Sequence, residues 1–237
     1  MNERQKNMFD LIQQKGKIST GKLASLFYVS PMTVRRDLAD MEKEGLIRRY
    51  RGGALSRMKE QELPIAQRYY QDEQEKRILG KKAASLLQDH LNLFLDSSST
   101  CSYIIPYMKE FRDLQLITNS VISLQIAARY QLPAILIGGV YDPQDMCLTG
   151  PDAVAQAERY NVDLAFFSTR ACSDDGIISD ASLQQLEVRK AIMRHARRRV
   201  FLFESAKLHQ KSLYTLCHVE DIDDLLLTSG EQLHPDS

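Results

Sequence analysis

The sequence predicts a two-part α/β chain, in which a small N-terminal head of three short helices and a basic hairpin leads into a larger α/β domain with a mostly parallel sheet. Three observations predict it. Charge is segregated: the 237 residues balance 31 basic against 31 acidic side chains, yet residues 1–60 hold 13 Lys and Arg against 7 Asp and Glu, and the remainder 18 against 24. The first 57 residues carry three amphipathic segments with helix-end signals. Beyond residue 76, six apolar runs alternate with helix-like segments. At 43% hydrophobic, a chain of this length can bury a core in each part.

In the head, Met8, Phe9, Leu11 and Ile12 cluster as on a helix from Glu3 to Lys15, with Gly16 suited to its end. Lys17, Ile18 and Ser19 leave room for a short strand. Leu23, Leu26 and Phe27 then recur at helical spacing behind a Ser19 or Thr20 cap. Ser30-Pro31 reads as N-cap plus first residue of a third helix that runs to Gly45. On that helix Val34, Leu38 and Met41 form the core stripe, which turns Met32 and Arg36 outward with Thr33 and Arg35 on the flanks. "LIRRYRGGAL" reads as a hairpin around Gly52-Gly53 that displays Arg48, Arg49 and Arg51. Three helices and a basic hairpin make a winged helix-turn-helix. Its outward donors suit base edges in a major groove, and its net positive charge suits phosphates, whose neutralisation releases counterions. Ser30, Met32, Thr33, Arg35, Arg36, Arg48, Arg49 and Arg51 are the candidate contacts to double-stranded DNA.

Other classes are disfavoured. No apolar run approaches the ~20 residues of a spanning helix, and "MNERQKN" lacks the apolar stretch of a signal peptide, so no membrane partner is expected. Cys101, Cys147, Cys172 and Cys217 are scattered without a CxxC pair and read as free thiols in a reducing cytoplasm. The five histidines are dispersed, and neither metal nor cofactor is expected.

Residues 58–75 read as a linker that becomes helical near Ile65 and continues through "EKRILGKKAASLLQD", giving parts at 1–57, 58–75 and 76–237. The runs "LNLFL", "LQLIT", "AILIGG", "VDLAFFST", "RVFLFES" and "DLLLT" predict the strands of a buried parallel sheet. Ligands bind such sheets beyond the carboxyl ends of the strands. There stand Asp96 to Thr100, whose hydroxyls and N–H groups could cradle an anion or merely cap a helix; Thr118-Asn119-Ser120; Gly138-Gly139; and Lys207.

The head closely resembles that of the DeoR family of bacterial transcriptional regulators. The family pattern V-S-x-x-T-[IV]-R-R-D-L, followed by G and a basic stretch ending G-G-A, stands here at Val29, Ser30, Thr33 to Leu38, Gly45 and Gly52-Gly53-Ala54. The body resembles the family's effector domain through Arg68, Glu75-Lys76, Asp96-Ser97, Thr118 to Ser120, Gly138-Gly139, Ser205 and Lys207. That resemblance implies a sheet similar to those of ribose-5-phosphate isomerase and CoA transferases, and a phosphorylated sugar or related metabolite as effector. It carries over Asp96, Ser97, Ser99, Thr100, Asn119 and Lys207 as effector contacts; Gly138 and Gly139 at a strand end, and Arg170, which departs from the family pattern, complete the candidate effector-binding residues. The resemblance further implies repression of a carbohydrate-metabolism operon, and because one small head makes few base contacts, a homodimer or homotetramer is expected. Ser98, Ser168 and Ala171 stand where the family commonly has glycine, and Arg170 could grip a phosphate, narrow the site, or pair with Asp174 or Asp175.

The rival reading is a sugar-phosphate isomerase with an accessory head. Proton abstraction beside a carbonyl needs a carboxylate and a cation, roles open to Asp96, Glu187 and Lys207. The acidic D-G-A-D-E-type and glycine-rich K-G-G-G-type segments of such isomerases are not in the sequence.

Overall fold

The computed structural model describes residues 1–15, 17–44, 46–50, 52–56 and 64–228. Gly16, Gly45, Arg51, residues 57–63, which include the first third of the predicted linker, and residues 229–237 lie outside them. The chain forms two compact units, Met1–Leu63 and Pro64–Ser237.

The head follows the expected order: α1 (Glu3–Lys15), β1 (Lys17–Ser19), α2 (Thr20–Phe27), α3 (Pro31–Lys43), β2 (Ile47–Tyr50) and β3 (Gly53–Ser56). Ser19 caps α2 by accepting from the Lys22 N–H at 3.2 Å, and Ser30 caps α3 by accepting from the Thr33 N–H at 3.1 Å. Met8, Ile12, Leu23, Val34, Leu38, Met41 and Ile47 close one core. In the wing β2 pairs with β3, and β3 with β1, all antiparallel. Gly53 has no alternative here, because a Cβ would stand 2.2 Å from the Ile18 carbonyl oxygen.

In the body, α4 (Ile65–Arg68) and α5 (Glu73–Ala84) are separate helices, not the continuous one expected from the sequence. Asp72 breaks them by taking a left-handed conformation, φ 46°, which Asp tolerates better than most residues. There follow β4 (Asn92–Leu95), a 3₁₀ turn at Cys101–Ile104, α6 (Ile105–Met108), β5 (Gln115–Thr118), α7 (Val121–Arg129), β6 (Ala134–Leu136), β7 (Val140–Asp142), β8 (Cys147–Thr149) and α8 (Pro151–Ala157). The chain continues through β9 (Leu164–Phe167), β10 (Ala171–Cys172), β11 (Ile177–Asp180), α9 (Leu183–His195), β12 (Arg199–Phe203), β13 (Tyr214–His218) and β14 (Asp224–Leu227).

The six predicted runs form one parallel sheet in the order β14-β12-β9-β4-β5-β6. Alternate residues serve opposite faces. Phe94, Phe167, Phe201 and Phe203 pack with Leu186 and Ile192 of α9, whereas Leu93, Leu95, Phe166 and Leu202 pack with Leu79 of α5 and Met108 of α6. Burial on both faces explains why the strands read as continuous apolar runs. Strand order reverses between β4 and β9, and the carboxyl ends of strands at such a switch point are where open α/β sheets bind ligands. Beside it lies an antiparallel sheet, β10-β11-β13, that the sequence reading did not anticipate.

Candidate functional site

Two sites arise, one in each unit. On the head, Val34, Leu38 and Met41 are buried, which leaves Met32, Arg35 and Arg36 exposed on α3. Ser30 and Thr33 share a hydroxyl–hydroxyl bond of 3.0 Å that fixes the first turn. Asp37 points inward, 3% exposed, and binds the Arg4 guanidinium at 2.8 and 3.1 Å, clamping α3 to α1. Asp37 belongs to the quoted motif, yet this bond to Arg4 was invisible in the sequence. On the wing Arg48 is half-buried and Arg49 exposed. Arg49 binds Glu42 through its own backbone N–H (2.7 Å) and its guanidinium (3.3 Å). A groove of about 580 Å³ between α3 and the wing is lined by Arg35 and Arg49 together with Thr20, Pro31 and Gly52. Two arginines on facing walls suit a phosphate chain, and exposed arginines on the first turns of α3 suit base edges. Arg36→Ala should therefore weaken binding to a selected DNA site by roughly 10-fold or more while random DNA loses little. Arg49→Ala should weaken both and lower the salt slope by about one; anisotropy titrations at two salt concentrations separate these outcomes.

In the body the strand ends at the switch point rest on a buried ion cluster. The Arg189 guanidinium, 4% exposed, donates to Asp96 and Asp180 at 2.9 Å each, to Gln185 at 3.3 Å and to the Ser168 carbonyl at 3.5 Å. Burial alone would lower its pKa, but the two carboxylates outweigh burial and raise it. Asp96 also accepts from the backbone N–H groups of Ser98 (2.9 Å) and Ser168 (3.1 Å), so it ties the loops after β4 and β9 together. Asp96 is thus committed internally. Ser97 donates to Gln185 at 3.2 Å; Gln185 in turn bonds Asp145, which pairs with Arg68.

A second cluster lies at the end of β12. The Lys207 ammonium stands 2.9 Å from the Ser168 hydroxyl, 3.4 Å from that of Thr100 and 3.3 Å from the Glu204 carboxylate, which also accepts from Thr100. Burial would raise the Glu204 carboxyl, but Lys207 and Lys76 outweigh it and hold it below its ordinary value. Lys76, 2% exposed, donates to the carbonyls of Arg68 and Gln71. Its neighbour Glu75 accepts from the Ser205 N–H and the Thr228 hydroxyl, at 2.8 Å each. Arg170 is half-buried; burial, then the Arg68 guanidinium, lower its pKa, while Asp180 and Asp145 pull the other way. Asp174 and Asp175, the partners considered for it, pair with His209 and Lys211.

Burial above all pushes the Lys76 ammonium down from 10.5 to about 8, against the pull of Glu204. Between those values the unfolded chain holds the proton and the folded chain does not, so stability rises with pH across that window. The gain is at most about 1.4 kcal/mol per pH unit, and below pH 8 the cost of the buried charge is fully present. Urea midpoints at about pH 7.5 and about pH 9.5 should therefore shift in favour of the wild type over Lys76→Met at the higher pH.

The remaining candidates separate. Asn119, 2% exposed, donates to the Leu148 carbonyl at 3.0 Å, while among the described residues its side-chain oxygen is buried with no partner. Gly138 and Gly139 instead serve α8: the Gly138 N–H donates to Gln156 at 2.9 Å, and a Cβ on Gly139 would stand 2.5 Å from the Thr149 carbonyl oxygen. Glu187 is exposed on α9 and pairs with Lys190 at 3.2 Å, away from the cluster that holds Asp96. The cysteines are free, and burial pushes the Cys147 and Cys217 thiols up to about 12. Among the described residues no three His, Cys, Asp or Glu could hold a metal ion, and no helix is long and apolar enough to cross a membrane.

Two family models match the chain: the DeoR-like helix-turn-helix domain over residues 4–60 and the DeoR C terminal sensor domain over residues 71–229. Similar curated proteins include the HTH-type transcriptional repressor GlcR of Bacillus subtilis (strain 168), 28% identical over 95% of this chain and 87% of that one. The glycerol-3-phosphate regulon repressor of Escherichia coli (strain K12) is 22% identical over 93% and 88%. Among solved structures, ribose 5-phosphate isomerase A from Methanocaldococcus jannaschii is 19% identical over 58% of this chain and 55% of that one, with a TM-score of 0.43. A likeness that weak carries no functional weight.

Proposed function

The chain belongs to the DeoR family of bacterial transcriptional regulators, and from that premise we propose how its two units divide the work. The head binds operator DNA through Arg35, Arg36 and the wing, and represses a carbohydrate-metabolism operon. The crevice at the carboxyl ends of β4, β5, β9 and β12 takes a phosphorylated sugar or related metabolite, whose binding shifts the population between DNA-binding and released states. The protein acts in the cytoplasm as a homodimer or homotetramer, since coupling two heads raises effective concentration and sets half-site spacing.

The observation that carries the effector half is the approach of Lys207 to Thr100 and Ser168 across the strand ends. Among the described residues, the backbone N–H groups of Ser99 and Thr100 donate to no protein acceptor, which leaves them for an anion. The unpartnered Asn119 oxygen offers an acceptor to a sugar hydroxyl on the adjacent strand end. In this reading Asp96 positions the loops and does not touch the ligand. Regulation without turnover is supported by the same geometry, because Asp96 is locked to Arg189 and Glu187 faces solvent. Calorimetric titration of the full chain with sugar phosphates and their unphosphorylated counterparts tests this: binding should require the phosphate, and equal affinity for both forms would refute it.

A further inference from the structure

Met32 is the large apolar side chain that α3 leaves in water, 71% exposed. It stands on the first turn of the helix, and Arg35 and Arg36 follow at three and four residues, so the three share one face. The hydroxyls of Ser30 and Thr33 beside it already bond each other. The arginines match guanine, whose O6 and N7 accept from a guanidinium, but a thioether has no hydrogen to donate and is only a weak acceptor. Against cytosine or adenine it would leave an amino group of the base unpaired, a penalty that disfavours both. The apolar feature of a major-groove edge is the C5 methyl of thymine, and burying that methyl against Met32 removes apolar surface from water on both sides.

We propose that Met32 is a specificity-determining residue that reads the methyl group of a thymine next to the base contacted by Arg35 or Arg36. The inference rests on the head binding duplex DNA. Tyr28, 95% exposed in the turn before α3 with φ 53°, is another large apolar group nearby in sequence. It lies outside the helix and is assigned no thymine contact.

The test uses the full chain and a duplex that it selects from a random-sequence pool, with each thymine replaced in turn by deoxyuridine, which removes only the methyl. One position per half-site should weaken binding about fourfold, the value of one buried methyl group. Met32→Ala should bind the thymine and uracil forms of that position equally, whereas Tyr28→Ala should keep the difference. The proposal is overturned if no thymine responds, if Met32→Ala retains the response, or if Tyr28→Ala abolishes it. Failure to select any sequence would instead overturn DNA reading by the head, the premise beneath it.

Discussion

Replacing Arg189 with methionine should destabilise the body by about 3–5 kcal/mol, the usual range when one partner leaves a buried ionic cluster. The cost arises because Asp96 and Asp180 stay behind, 1% and 4% exposed, with no cation between them. Methionine fills most of the volume, so the loss reports charge and hydrogen bonding, with little contribution from a cavity. Loops after β4 and β9 should loosen together, since Asp96 joins them. The control is Arg194→Met, which removes a half-exposed bond to Glu158 at 2.5 Å and should cost no more than about 1 kcal/mol. Hydrogen exchange along β4 and β9 in the full chain measures both variants, and equal protection in the two would rule out the cluster as the support of the crevice.

Lys207→Met should raise the concentration of phosphorylated effector needed to release DNA by roughly 10- to 150-fold, corresponding to about 1.5–3 kcal/mol for a hydrogen bond to a charged group. DNA affinity without effector should stay close to that of the wild type, because the residue lies in the second unit. Glu204 keeps Lys76 as its cationic neighbour and keeps its bond from Thr100, so the cluster is not left as an isolated charge. The diagnostic readout is preference: the variant should bind phosphorylated and unphosphorylated sugars alike. A variant that kept its preference for the phosphate would move the anion site elsewhere.

Much of this architecture was legible because local and global signals agree. Ser30-Pro31 announced the start of α3, and the six apolar runs announced strands buried on both faces. Arg189 was harder to read. It sits in a helix rich in exposed charge, although Leu186 and Ile192, three residues to either side, placed it on the buried stripe and could have marked it. Asp96 was expected as an effector contact through the family resemblance; only the fold reveals that a guanidinium 93 residues away bonds it. Gly138 and Gly139 were expected to admit a ligand, but the close approach comes from β8 and α8. The break at Asp72 had no sequence signal beyond a residue type that tolerates the left-handed region, and the strands of β10-β11-β13 mix polar residues among apolar ones, so they offered no continuous apolar run.

The central claim is that the strand-end crevice controls what the basic head does on DNA. Fluorescence anisotropy of the full chain on its selected duplex, with and without a panel of sugar phosphates and their unphosphorylated forms, tests it most directly. The account predicts tight, sequence-selective and salt-sensitive binding that one phosphorylated sugar releases and its unphosphorylated form does not. Selective binding that no phosphorylated sugar in the panel shifts would contradict it.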